Sequence, residues 1–164
     1  KIFYTDSFAI PLPHDHSFPI GKYALLRKRI ERSHLFSPQD LWLPRAASDT
    51  EICRSHDPDY LQRLQLGQLT AKEIRRIGLP WSPELVERAR RSAGATVEAC
   101  FADLADGVAV HLGGGTHHAF KNQGQGYCIF NDSAIAVRAL QAETHIKRVL
   151  ILDCDVHQGN GTAA

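Results

Sequence analysis

The stretch "RVLILDCDVHQGNG", residues 148 to 161, decides how this chain is read. An apolar run passes straight into Asp153, Asp155 and His157 at every second position, then into a loop carrying Gly159 and Gly161. A short continuous apolar run bounded by turn residues fits a buried strand of a parallel sheet. Side chains of a strand alternate faces, so the two acids and the histidine are expected on one side, with Leu152, Cys154 and Val156 on the other. In open parallel sheets ligands bind just beyond the carboxyl ends of the strands, which is where this set falls. A carboxylate and an imidazole suit Zn²⁺, which in a catalytic site needs one further protein ligand and an open position. Spacing alone leaves an alternative, a pair of strand-end acids acting as caps or ion-pair partners, because DxH recurs by chance. Three ionisable groups converging on an apolar strand favour the site, since buried acids without partners are costly.

Working outward, "VAVHL" (108–112) reads as a second buried strand and leads into "GGGTHH" (113–118). Three glycines allow a tight turn close to a ligand. His117 and His118 fit a general base beside an electrostatic partner, provided each ring is oriented by an acceptor; the alternative is a pair of ordinary loop histidines. The glycines lack the spacing of a dinucleotide fingerprint, and no GKS or GKT marks a phosphate loop. Between the two blocks, "GYCIFND" (126–132) follows an irregular turn at Gly124 and Gly126. It places Tyr127 and Phe130 either along a narrow apolar slot or in the core.

The rest of the chain alternates helical and strand patterns. "SPELVERARRSAGATVEACFADLADG" (82–107) is a helix with Ser82 as cap, Pro83 in the first turn and Gly107 as terminator. "DSAIAVRALQAE" (132–143) is a second helix, "TAKE" (70–73) fits a capping box, and "DPDYLQRLQLG" (57–67) opens with a cap and Pro58. "KIFYT" (1–5) is expected as an edge strand and "PLPHDHSFPIGKY" (11–23) as a Pro-rich loop. In "KYALLRKRIERS" (22–33), Ala24, Leu25, Ile30 and the stem of Arg27 form an apolar stripe at helical spacing. This alternation predicts one α/β domain over 1–164: a three-layer, open, mainly parallel sheet with helices on both faces. It is expected to be incomplete at its C-terminal end, because no helix follows the strand at 148–153.

Composition narrows the function. The 164 residues suffice for one domain with a core, and a formal charge of +1 without a basic stripe gives no electrostatic case for nucleic acid. Arg75 with Arg76, and Arg88 with Arg90 and Arg91, are expected as solvated helix faces. No run approaches the ~18 apolar residues of a membrane span. Cys53, Cys100, Cys128 and Cys154 are far apart and form no CxxC pair, so they read as reduced core residues of a cytoplasmic protein.

Taken together and in this order, "GGGTHHA" (113–119), "GYCIFNDSAIA" (126–136) and "RVLILDCDVHQGNGT" (148–162) resemble three successive signatures of the histone deacetylase superfamily, which includes acetylpolyamine amidohydrolases. "PHDHSFPIGKY" (13–23) and "SHDPDYLQRL" (55–64) resemble its N-terminal segments, and "HQGNG" looks closer to the bacterial and class IV type than to class I. The resemblance implies an arginase/deacetylase-like fold and zinc-dependent hydrolysis of an acetylated amine, such as acetyl-lysine, to acetate and free amine. Asp155 and His157 match two of three zinc ligands, and His117 and His118 match the histidine pair. Asp153 matches the acid that orients His117 and helps hold a structural K⁺. Gly126 and Tyr127 match the channel that admits the acyl chain. Asn160 stands where class I members carry an acid, so an amide would orient His118. The acid expected at the channel rim is missing from "GLPWSPE" (78–84), so extended peptides are expected to be gripped differently or not used. The resemblance further implies that the third zinc ligand, an Asp, and a transition-state Tyr lie beyond residue 164, leaving the isolated chain with little or no activity. Two other readings stand beside it. One is an arginase-like binuclear Mn²⁺ hydrolase, disfavoured by Gly159 two residues after His157; the other is a non-catalytic binding module. The acyl substrate and the oligomeric state stay open.

Overall fold

A computed structural model describes residues 1–164 throughout. Its sheet has the order β2-β1-β3, with β1 at Ile2–Phe3, β2 at Leu41–Trp42 and β3 at Val110–His111, all parallel. Ile2 pairs with both Leu41 and Val110, and Phe3 with both Trp42 and His111. The first strand is therefore central, not the edge its position suggests. Parallel neighbours must each return through a crossover, so the order of strands in a sheet need not follow the chain.

The chain has seven helices: α1 (Lys22–Ser33), α2 (Asp49–Cys53), α3 (Pro58–Gln65), α4 (Ala71–Ile77), α5 (Pro83–Asp106), α6 (Asp132–Glu143) and α7 (Asn160–Ala163). Their ends are set locally, as the caps indicate. Ser82 accepts from Leu85 N–H at 3.1 Å, Pro83 opens α5, and Gly107 ends it at φ 78°. Thr70 and Glu73 form the capping box of α4, and Asp57 caps α3. α5 packs along α6 and against β1 and β3. One apolar cluster joins Ile52, Leu64, Ile77, Val97 and Ile135 beside it.

Two polar groups are buried in this core with their partners. Tyr60 Oη donates to Ile129 O at 2.9 Å. His56 Nε2 accepts from Asn131 N–H at 2.9 Å while Nδ1 faces Lys121 O at 3.3 Å, and burial pushes its pKa down to about 4, so the ring is neutral.

Several expectations are corrected. α1 buries none of its residues, and Leu25 is 69% exposed; Arg27 instead ties the helix to Asp6 through a pair at 2.9 Å. β3 is only two residues long, with Val108 and Val110 exposed. Residues 148–153 form no strand: no backbone ladder reaches them, and Leu150 and Leu152 are 87% and 82% exposed. An apolar run becomes a strand only when a neighbour pairs its N–H and C=O groups, and none of β1–β3 makes such bonds to this run. Arg88 is not on a solvated face, since it donates to Thr5 O and Phe8 O at 3.1 and 3.2 Å. All four cysteines are free, but Cys154 is exposed, not a core residue. No helix is long and apolar enough to cross a membrane.

Candidate active site

The turn that carries His117 and His118 is pinned to the start of α6. Asn131 caps that helix through Oδ1 on Ala134 N–H at 3.0 Å, and its Nδ2 donates to Ala119 O at 3.3 Å and Thr162 Oγ1 at 2.9 Å. One side chain thus joins the helix, the backbone after His118 and α7. Asp132, the next residue, accepts from Gly115 N–H at 3.0 Å and Thr116 N–H at 2.8 Å. Sequence reading passed over Asn131 and Asp132. Their available signal was a polar pair set between the apolar "CIF" and an apolar helix.

The segment after residue 152 approaches the same turn. Asp155 N–H donates to Asp153 Oδ1 at 3.0 Å and His157 N–H to Asp155 Oδ2 at 2.7 Å. Each acid captures the amide two residues on, the Asx-turn pattern, so the chain coils here and the alternate-face expectation fails. The residues nevertheless converge. His117 Nδ1 donates to Asp153 Oδ2 at 2.6 Å, and His118 Nδ1 donates to Asn160 Oδ1 at 2.7 Å. The two rings lie 4.3 Å apart, with the His157 ring 6.0 Å from His118. With both Nδ1 atoms engaged as donors, each Nε2 is the free basic nitrogen.

The loop glycines make this approach possible. A Cβ on Gly159 would collide with Asp153 Oδ2 and lie 3.3 Å from His117 Nδ1, so only glycine leaves that hydrogen bond intact. Gly161 and Thr162 then donate to His117 O at 2.9 and 3.1 Å. Both acids stay anionic. Asp153 is held below the ordinary carboxylate range by the Asp155 amide and then by His117, and Asp155 by the His157 amide and ring.

Gly126 and Tyr127 form a wall beside His118. Both have positive φ, 54° and 66°, and their N–H groups donate to Arg76 O at 3.1 Å and Ile77 O at 2.7 Å. A Cβ on Gly126 would stand 2.9 Å from the His118 ring. For tyrosine this backbone is strained, and the hydrogen bonds from α4 hold it there. The Tyr127 ring rests 4.9 Å from that of Phe18, and its hydroxyl meets Ser17 Oγ at 3.0 Å. The Pro-rich loop therefore packs against the Tyr127 side chain, a contact its sequence did not announce. Beneath lies a cavity of about 50 Å³ lined by Phe18, Tyr23, Leu79, Tyr127 and Phe130, with Arg88 at its polar side.

Asp155 Oδ2 lies 3.0 Å from His157 Nδ1 and 3.9 Å from His117 Nε2. One carboxylate and one imidazole, both partly open to solvent, fit a zinc site as two of its ligands. No group of three His, Cys, Asp or Glu side chains is arranged to hold a metal ion. The position two after His157 is Gly159, packed against Asp153 and His117, so no donor for a second metal stands there.

Residues 16–164 match a family model described as the histone deacetylase domain. The chain is 40% identical over 162 residues to an uncharacterised protein of Picosynechococcus sp., covering 99% of this chain and 54% of that protein. It is 34% identical over 171 residues to the acetoin utilization protein AcuC of Bacillus subtilis, covering 96% and 43%. Among solved structures, an HDAC homolog from Aquifex aeolicus matches with TM-score 0.78 at 25% identity, covering 99% of this chain and 46% of that one. An HDAC homolog complexed with SAHA matches with TM-score 0.78 at 26% identity, again over 99% and 46%. The chain spans about half the length of the curated relatives it matches.

Proposed function

The chain belongs to the histone deacetylase family, and from that premise we propose that the whole protein hydrolyses an acetylated amine, acetyl-lysine or a similar small acyl amide, to acetate and the free amine, with Zn²⁺ as cofactor. The observation that carries this reading is the pair of adjacent histidines, one on a carboxylate and one on an amide, beside the Gly126–Tyr127 wall. Asp155 and His157 would hold the zinc together with a third ligand, and the metal would polarise the amide carbonyl and acidify water.

The chain's own groups do the rest. His118, with Nδ1 fixed on Asn160, presents Nε2 as the base that takes the proton of the attacking water and returns it to the leaving amine. His117, with the Asp153 anion at Nδ1, is suited to carry positive charge and so to stabilise the anionic transition state. Tyr127 and Phe18 flank the acyl chain and exclude water. The free cysteines fit a reducing compartment such as the cytoplasm. Asp155 and His157 would leave a catalytic zinc one protein ligand short, so the 164 residues by themselves are expected to turn over little or nothing.

The test is acetate release by the full-length protein from an acetyl-lysine peptide and from an acetylated polyamine, before and after chelation. Turnover lost on chelation, restored by zinc and abolished by His118→Ala supports the reading. No release from any acyl amide, with zinc bound, overturns it.

A further inference from the structure

We infer that Asp132 is a positioning residue for the His117–His118 turn and acts on it through Thr116. Asp132 opens α6 and is 1% exposed. An acid in a first helical turn ordinarily faces water and favours the helix end. Here Asn131 already caps the helix, and the Asp132 carboxylate turns inward to the other chain segment.

Both of its oxygens are filled. Oδ1 accepts from Thr116 N–H and Thr116 Oγ1, each at 2.8 Å. Oδ2 accepts from Gly115 N–H at 3.0 Å and from Thr96 Oγ1 at 2.6 Å. Asp132 N–H returns to Thr116 Oγ1 at 3.2 Å, closing a ring of bonds between the two residues. A buried carboxylate is tolerated only when donors replace its water, and these four do so.

The strut reaches further through Thr96 of α5. Its single hydroxyl proton goes to Asp132, so its oxygen accepts from His111 Nδ1 at 2.9 Å. Burial pushes the His111 pKa well down, so the ring is neutral and serves as a donor from β3. A Cβ on Gly114 would stand 2.8 Å from His111 Nδ1 and 2.9 Å from Asp132 Oδ2, so glycine alone lets the backbone settle on the cluster.

Thr116 directly precedes His117. Fixing the amides of residues 115 and 116 together with the Thr116 hydroxyl sets the direction in which the next two side chains leave the backbone. The 2.6 Å bond from His117 to Asp153 and the 2.7 Å bond from His118 to Asn160 span 36 and 42 residues, and a slip of the turn would lengthen both. The placement of the turn stands on this geometry alone, whereas its catalytic consequence rests on the deacetylase reading above.

The test uses the full-length protein with Asp132→Asn, Thr116→Val and Thr116→Ser. Two quantities are measured: kcat and KM on an acetyl-lysine peptide, and the imidazole ¹H and ¹⁵N resonances that report the Nδ1–H tautomers of His117 and His118. Asp132→Asn and Thr116→Val should lower kcat by about 10- to 100-fold with KM changed less than about twofold, and should lose or split the far-downfield Nδ1–H signals. Thr116→Ser, which keeps the hydroxyl, should restore both. Folded Asp132→Asn or Thr116→Val protein with parental kcat and parental imidazole signals overturns the inference, as does Thr116→Ser behaving like Thr116→Val. If Asp132→Asn does not fold, the Val and Ser pair at Thr116 decides. If the parent turns over no acyl amide, the deacetylase reading falls, and the imidazole spectra still judge the strut.

Discussion

His118 Nδ1 donates to Asn160 Oδ1 at 2.7 Å, so the proposed base is oriented by a neutral group. An amide fixes the tautomer without adding an anion that would stabilise imidazolium. Asn160→Ala in the full-length protein removes that acceptor and frees the ring to turn or to take the wrong tautomer. A fall in kcat of about 10- to 100-fold is expected with KM little changed, measured by steady-state kinetics. Parental kcat in the folded variant would count against His118 as the base.

The neighbouring histidine has the opposite arrangement, with the Asp153 carboxylate at 2.6 Å. Asp153→Asn keeps the shape but removes the anion and allows the wrong tautomer. A fall in kcat of about 100-fold or more is expected, with KM little changed, measured by steady-state kinetics. Because the folded Asp153 pKa is lowered, its support is present above the ordinary carboxylate range and is lost as pH falls through the lowered value.

Metal analysis tests the pair Asp155 and His157. The purified full-length protein should carry one zinc per chain, and Asp155→Ala or His157→Ala should each abolish stoichiometric zinc while circular dichroism is retained. Two manganese ions per chain would instead favour the binuclear reading.

Stability under acid depends on Glu51. Its carboxylate accepts from Arg45 Nη1 and Nη2 at 2.8 and 2.5 Å and from Ser48 N–H at 2.8 Å, and the Arg45 guanidinium brings its pKa down to about 2. A lowered folded pKa means the stabilisation is complete above the unfolded value and fades as pH falls toward the folded one. Glu51→Gln should therefore cost about 1–3 kcal/mol at pH 7 in urea unfolding. The gap from the parent should close between the ordinary value of 4.5 and about 2.

Helix boundaries were legible because the groups that set them lie within a few residues of each other. Ser82 with Leu85, Thr70 with Glu73, and Asp57 with Pro58 act across one turn, and each reads directly from the chain. The residues of the candidate site were legible in a different way, as short motifs whose chemistry suits a metal and a base. In the fold His117 meets Asp153, His118 meets Asn160, and Asp155 lies beside His157.

What the motifs could not carry is how those groups meet. An apolar run at 148–153 has the composition of a strand, but pairing is a contact with a distant segment, and without it the run lies open. For the same reason the central place of β1 and the inward turn of Arg88 were invisible. The clasp of Ser17 on Tyr127, 110 residues away, was equally so. The sequence by itself determined the ends of α3, α4 and α5 and the family, and it named the residues of the candidate site, because caps and motifs are local. Only the tertiary structure decided that Asp153 and Asn160 divide the two histidines between a charge and a dipole, and that buried Asp132 holds their turn, because those partners lie 36, 42 and 16 residues away along the chain.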